Sequence, residues 1–383
     1  MIIQCDGYFS INLTKFKKLK SEFSEHAESY GFSKSSSSNL LINDDTLLFA
    51  NSTIAGFKEY LTTDSLPDDG FYIIQDCIRN HNLKVIRDKS DSLDYMSCFT
   101  QVGLLGGKKS FSRILDFSLS FLTHKLGVPY KNILFKTSSE LIFFQNKLIS
   151  YGGLNISIDC QSDEYYKWNY GLKNIYGRGI TIAIYNKLTS SFEDVGNIIE
   201  ICKDDCIIGY EFGFGIETLI SRCDGLGSPF DSSIVSSFFI GLDPIWKNKF
   251  LDSLMLTTLL ISLGCKIGRG KRNAILRHSI NDLCYLVHVL ELDLNYVIIV
   301  SKWYSLQMKL PDDMIEKIIR NHFGLINDKV ILAEKYIHYT IKNRNDIESF
   351  YRYCQNKLGF IMEFIDEISI LSTQIKNIRK GSV

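Results

Sequence analysis

Apolar positions recur with a helical period near the start of this chain, with a period near two through its middle, and with a helical period again towards its end. In residues 13–30, Phe16, Leu19, Phe23 and Ala27 fall at helical spacing with charges between them, and Gly31 follows as a C-cap, so the pattern predicts a helix. Residues 35–38 read as a polar loop, TLLFA as a strand, and residues 56–61 as a short helix. Phe71–Ile78 alternates like a strand, residues 80–94 are charged and irregular, and residues 96–105 read as a second extended piece. Two strands joined by a charged, mobile loop make a hairpin whose loop can close over a ligand. Residues 111–126 are amphipathic with a helical period. From 133 to 220 the pattern is mostly that of strands, at 155–160, 180–185, 197–202 and 206–212, before GYEFGFG runs into a helix beginning near Ile216.

Beyond Asp224 the character changes to helical stretches at 250–263, 273–290, 313–320 and 347–375. The expected architecture is α+β: a mixed domain over residues 1–230, followed by a helical domain over 231–383.

Composition narrows the possible roles. The chain has 383 residues with 43 Lys+Arg and 43 Asp+Glu, so any nucleic-acid binding must rest on a local basic patch. No apolar run reaches the roughly 18 residues that a membrane span needs. Ten cysteines are scattered without a CxxC pair, and MIIQCDGYFSINLTKFKK lacks the apolar core of a signal peptide, so reduced thiols in a cytoplasm are expected. Cys202 and Cys206 have no second pair to complete a zinc site, so no metal ligands are assigned to protein side chains alone. No P-loop or hydrolase triad occurs, and GFGIET lacks the third glycine and the βαβ setting of a dinucleotide site.

Six segments occur in a particular order: NDDTLLFANSTIAGFKEYL at 43–61, CIRN at 77–80, FTQVGLLGG at 99–107, YYKWNYG with ITIAIYN at 165–186, GYEFGFGIE at 209–217, and RNAILRH at 272–278. Together they resemble class II aminoacyl-tRNA synthetases, and most of all the catalytic and tRNA-recognition domains of alanine–tRNA ligases, as a shortened and divergent paralogue. The resemblance implies an antiparallel sheet of six or seven strands flanked by helices, then a helical tRNA-recognition domain. It also implies ATP and Mg2+ as cofactors, and a small amino acid with tRNA or another aminoacyl acceptor as partners. Editing in cis is not expected, because the seven histidines include no HxxxH pair.

Residue by residue, the resemblance gives Arg79 the α-phosphate and the amino-acid carboxylate, a contact that suits a guanidinium fork. Phe99 would stack on adenine, Trp168 would wall the amino-acid pocket, and Glu211 would grip the substrate ammonium. Gly213 and Gly215 would let backbone approach the nucleotide, and Glu200 would help to bind magnesium and nucleotide. By residue type alone, Phe99, Trp168 and Glu200 read equally well as ordinary core or strand positions. Glu211 stands where the family has an aspartate, and its extra methylene leaves alanine, glycine and serine open.

The departures cluster on the β/γ-phosphate and magnesium side. Thr218 replaces the motif 3 arginine, Asp94-Tyr95-Met96 replaces "RHH", Ile182 replaces a glutamate, and Lys203 replaces an asparagine. Arg222, one helical turn beyond Thr218, is the first candidate substitute, with Arg87 and Arg178 in matching loops. Lys266, Arg269, Lys271, Arg272 and Arg277 form a basic stretch suited to a phosphate backbone, with Lys271 where the family carries a base-reading asparagine. The leading reading is ATP-dependent activation of a small amino acid and its transfer to an acceptor. Aminoacyl transfer from charged tRNA or a ready-made adenylate is the second reading, and silent binding of tRNA or amino acid is the third.

Overall fold

The structure is a computed structural model that describes residues 9–44, 47–63, 66–159, 163–343 and 346–381. Cys5, Cys160 and Thr46 of the TLLFA segment lie outside the described residues. The chain divides into two compact units, Met1–Arg79 with Cys98–Ser237, and Asn80–Ser97 with Phe238–Val383.

The first unit is built on a sheet. In chain order its elements are α1 (Phe9–Ser29), β1 (Ser33–Lys34), β2 (Leu41–Asp44), β3 (Leu47–Phe49), α2 (Ile54–Thr63), β4 (Phe71–Ile78), β5 (Cys98–Gly106) and α3 (Phe111–Ser120). There follow β6 (Ile133–Ser138), α4 (Ile142–Tyr151), β7 (Ile156–Asp159), β8 (Lys167–Leu172), β9 (Ile175–Asn186), β10 (Ser191–Lys203), β11 (Cys206–Gly215), α5 (Ile216–Asp224) and α6 (Pro229–Ser232). The sheet has nine strands in the order β1-β4-β5-β11-β10-β9-β6-β7, with β8 added against β9. The path from β4 to β6 is antiparallel throughout, and the outer pairs β1–β4 and β6–β7 are parallel.

Strand periodicity sorts the side chains onto two faces. On one face Tyr72, Phe212 and Phe214 meet Phe23 of α1 and Phe117 of α3 through edge-to-face ring contacts. On the other, Ile73, Leu105, Ile175 and Ile201 pack with Ile54, Phe57 and Leu61 of α2. Burial of these rings and branched chains stabilises each face by roughly 1.5–3 kcal/mol per fully buried side chain.

The second unit is helical: α7 (Pro244–Ser262), α8 (Lys271–Val289), α9 (Leu294–Gln307), α10 (Ile315–Lys342), α11 (Ile347–Tyr353) and α12 (Ser369–Gly381). Asp243, Asp293 and Asp346 cap α7, α9 and α11 by accepting backbone N–H bonds, and Pro244 occupies the first turn of α7. The 80–97 segment belongs to this unit, and it is not a free flap. Ser97 donates from its amide and hydroxyl to buried Asp252 at 2.7 and 2.6 Å, Asn82 Nδ2 donates to Asp252 at 3.0 Å, and Arg87 Nε donates to buried Asp282 at 2.8 Å. Two helix carboxylates taken out of water need such donors, and the segment supplies them.

The α+β reading holds, as does the change to helix after the sheet. Three local expectations differ. Residues 142–151, read among strands, form α4, where only Phe144 and Leu148, four apart, are buried. The helix read at 313–320 continues to Lys342. The stretch 347–375 is interrupted at Gly359, whose φ of 57° is left-handed and ends the helical run.

Candidate functional site

The face that carries α2 is lined with glycine between polar side chains. Register puts Phe99, Gln101 and Gly103 of β5, Glu211, Gly213 and Gly215 of β11, Asn197 and Ile199 of β10, and Thr181, Gly179 and Gly177 of β9 on it. Trp168 of β8 lies opposite Gly177 and so shares the face.

Glu211 is the centre of this face. It is 4% exposed, between Leu105 and Ile199 on the neighbouring strands. Its carboxylate accepts from Thr53 Oγ1 at 3.0 Å and from Tyr170 Oη at 3.1 Å, and among the described residues no cation pairs with it. Burial pushes its carboxyl up to about 7, while the two hydroxyl bonds pull the other way. Two hydroxyl donors satisfy part of the hydrogen-bonding capacity but none of the charge.

The glycines make room for these donors. A Cβ on Gly103 would lie 3.0 Å from Thr53 Cγ2 and Oγ1, and one on Gly177 would lie 2.6 Å from Tyr170 Oη. The Thr53 amide donates to Gln101 Oε1 at 2.9 Å, and this bond fixes the start of α2 over the sheet. A Cβ on Gly213 would come within 3.3 Å of Gln101 Nε2, whereas one on Gly215 would meet Thr218 Oγ1 at 3.5 Å. Thr181 Oγ1 donates to Asn197 Oδ1 at 3.0 Å and adds a second polar pair to the floor.

Arg79 leaves β4 on the same face. Its Nε donates to the Asn51 carbonyl at 2.9 Å, and its guanidinium carbon lies 4.8 Å from the Phe99 ring centroid. One side of the ring is thus covered by the cation. Phe99 also neighbours Gly215, beside which Thr218 stands at the start of α5.

Glu200 and Arg222 are not brought to this face. Glu200 is fully buried on the opposite side of the sheet, where it accepts from Arg178 Nε at 2.9 Å and Tyr210 Oη at 3.1 Å. Arg222 is ion-paired with Glu193 at 2.7 Å near the β9–β10 turn. Both arginines that could replace lost phosphate contacts in this unit therefore have carboxylate partners of their own.

In the helical unit, Lys266, Arg269 and Lys271 are exposed, and Arg272 and Arg277 are half-buried, around the N-terminus of α8. The first turn contains no acid, and the Gly270 cap supplies no side-chain bond, so cations add to the positive end of the helix dipole. This arrangement attracts anions and is unfavourable for the helix alone.

Sequence reasoning missed Thr53, Tyr170, Gln101 and Asn197. Tyr170 carried the clearest signal, two residues from Trp168 in a strand and hence on its face. Gln101, beside Thr100, is a polar residue in a mostly apolar strand.

No family model matches the chain, and no curated protein matches it. Among solved structures, it is similar to asparaginyl-tRNA synthetase from Pyrococcus horikoshii, at 8% identity and a TM-score of 0.32, over 58% of this chain and 67% of that one. The same enzyme complexed with asparaginyl-adenylate gives 9% identity and a TM-score of 0.32, over 58% and 68%. The RNA binding domain of threonyl-tRNA synthetase from Cryptosporidium parvum Iowa II gives 12% identity and 0.36, over 70% and 79%. At these scores the likeness is loose.

Proposed function

We propose that the glycine-lined face is the amino-acid site of a synthetase-like protein, and that Glu211 takes the ammonium of a small amino acid. The observation that carries this reading is a buried carboxylate with two hydroxyl donors and, among the described residues, no cation. A substrate ammonium would supply the missing charge. Thr53 and Tyr170 hold the carboxylate oxygens, and Trp168 shares the face. These bulky neighbours favour alanine, glycine or serine over larger side chains.

In the leading form of the proposal, ATP and Mg2+ enter the same site. Arg79 holds the amino-acid carboxylate and the α-phosphate, so that attack of the carboxylate oxygen on the α-phosphorus expels pyrophosphate and leaves an aminoacyl adenylate. Catalysis of this kind rests on positioning and on neutralising charge. tRNA or another acceptor would then take the aminoacyl group, and the basic start of α8 supports a polyanionic acceptor.

One observation favours a second form, in which the protein transfers an aminoacyl group that it receives already activated. Arg178 and Arg222 are each paired with a carboxylate off the Glu211 face, which leaves the β/γ-phosphate side without its substitutes. ATP–pyrophosphate exchange with each of the twenty amino acids, beside an Arg79→Ala control, separates the two. Exchange with a small amino acid, lost in the control, supports activation. Tight binding of a non-hydrolysable adenylate mimic without any exchange supports transfer.

A further inference from the structure

On the opposite, helix-covered side of the sheet unit, a cavity of about 750 Å3 opens between the end of α1, the outer side of α3, the turn after it and the end of α4. We propose that this cavity binds a small organic ammonium ion, held by the Asp116 carboxylate and a wall of three tyrosines. It is separate from the Glu211 site, because Phe117, next to Asp116 on α3, packs against Phe212 on the other face of the sheet.

The lining gives the ligand class. Tyr30, Tyr130 and Tyr151 line the cavity together with Asp116, Ser120 and His124, and among the described residues neither lysine nor arginine lines it. Asp116 accepts a short hydrogen bond from Tyr151 Oη, and Tyr30 Oη lies 3.5 Å from the Asp116 carbonyl. Among the described residues Asp116 has no ion-pair partner. Ser120 Oγ and His124 Nδ1, 3.2 Å apart, satisfy each other. Tyr130 and Tyr151 are each 41% exposed, and they leave the cavity reachable from solvent. Burial and the neighbouring carboxylate keep the Tyr151 hydroxyl protonated, so it goes on donating to Asp116.

Aromatic faces and a carboxylate attract an ammonium group, and the cavity volume suits a small molecule. Among the described residues the lining offers His124 but no lysine or arginine to a carboxylate or phosphate, so amino acids and nucleotides suit it less well than an amine. The ligand is an amine without an acidic group, either a quaternary ammonium such as choline or a polyamine.

The test is calorimetric titration of the full chain with choline, with spermidine, and with 3,3-dimethyl-1-butanol, the uncharged isostere of choline. Saturable binding of at least one amine, tighter than the isostere by on the order of tenfold, is expected. Asp116→Asn should remove that preference while circular dichroism shows a folded chain. Equal binding of choline and its isostere without spermidine binding would overturn the proposal, as would failure of both amines to saturate. If Asp116→Asn does not fold, the comparison of amines with isostere on the unaltered chain decides by itself. Tyr130→Ala, at an exposed position, then serves as the variant, with weaker amine binding expected and unchanged binding counting against the site.

Discussion

Glu200 and Glu211 lie on adjacent strands, one register step apart, and point to opposite faces of the sheet. Glu211 is paired with Ile199 in the β10–β11 ladder, so Glu200, the next residue, faces away. The consequence is chemical. Glu200 has Arg178 as a counter-charge, whereas among the described residues Glu211 has hydroxyls alone. Of two buried carboxylates, only Glu211 retains the capacity to take up a cation.

A neutral replacement of Glu211 should therefore stabilise the fold. Glu211→Gln keeps an oxygen to accept from one of the two hydroxyls, offers an amide N–H to the other, which can turn to accept, and removes the unpaired charge. At pH 8 a gain of roughly 1–3 kcal/mol is expected from chemical denaturation, together with loss of amino-acid binding. Destabilisation of similar size would mean that the charge has a partner in the free protein.

Gly177→Ala tests the packing that places Tyr170. The new Cβ would lie 2.4 Å from Ile199 Cγ2 and 2.6 Å from Tyr170 Oη, so one of the two must move. A loss of roughly 1–3 kcal/mol is expected, read from denaturant midpoints at constant m-value. Gly215→Ala, whose Cβ would meet only ordinary contacts at 3.5 Å and beyond, should cost much less.

The pH dependence of stability has a defined sign. Burial raises Glu211, Glu217 and Asp282 to about 7 and Asp252 to about 6, against ordinary values of 4.5 for glutamate and 3.8 for aspartate. The native state holds these protons more tightly than the unfolded chain. The stability they contribute is complete below the ordinary values and is lost as pH rises through the native ones. Thermal melts should thus fall in midpoint between about pH 4.5 and 7.5, and Glu211→Gln should make the slope shallower. A midpoint that rises over this window would contradict the burial-driven shifts.

The sheet core was legible because its strands alternate cleanly and its glycine-spaced motifs keep their order. Phe71–Ile78 was read with both ends correct, and β11 and α5 meet at the predicted place. Strand parity, applied to the ladder, would also have separated Glu200 from Glu211, but the register itself is a long-range property that no local pattern gives. The anchoring of residues 80–97 was hidden for the same reason. Nothing local in the helical stretches marks Asp252 and Asp282 as buried, and only the folded unit shows that Ser97, Asn82 and Arg87 satisfy them. Helix α4 escaped because isoleucine, phenylalanine and tyrosine favour strands by propensity, and only two apolar residues of its face are buried.

The most direct measurement is the affinity of the chain for a non-hydrolysable aminoacyl-adenylate mimic bearing a small side chain, compared with the same mimic lacking its amino group. A preference for the amino form of at least about thirtyfold is expected, in keeping with a buried charge pair, and it should be lost in Glu211→Gln. Equal affinity for the two mimics in the unaltered protein would contradict the assignment of Glu211 as the ammonium site, and with it the proposed function.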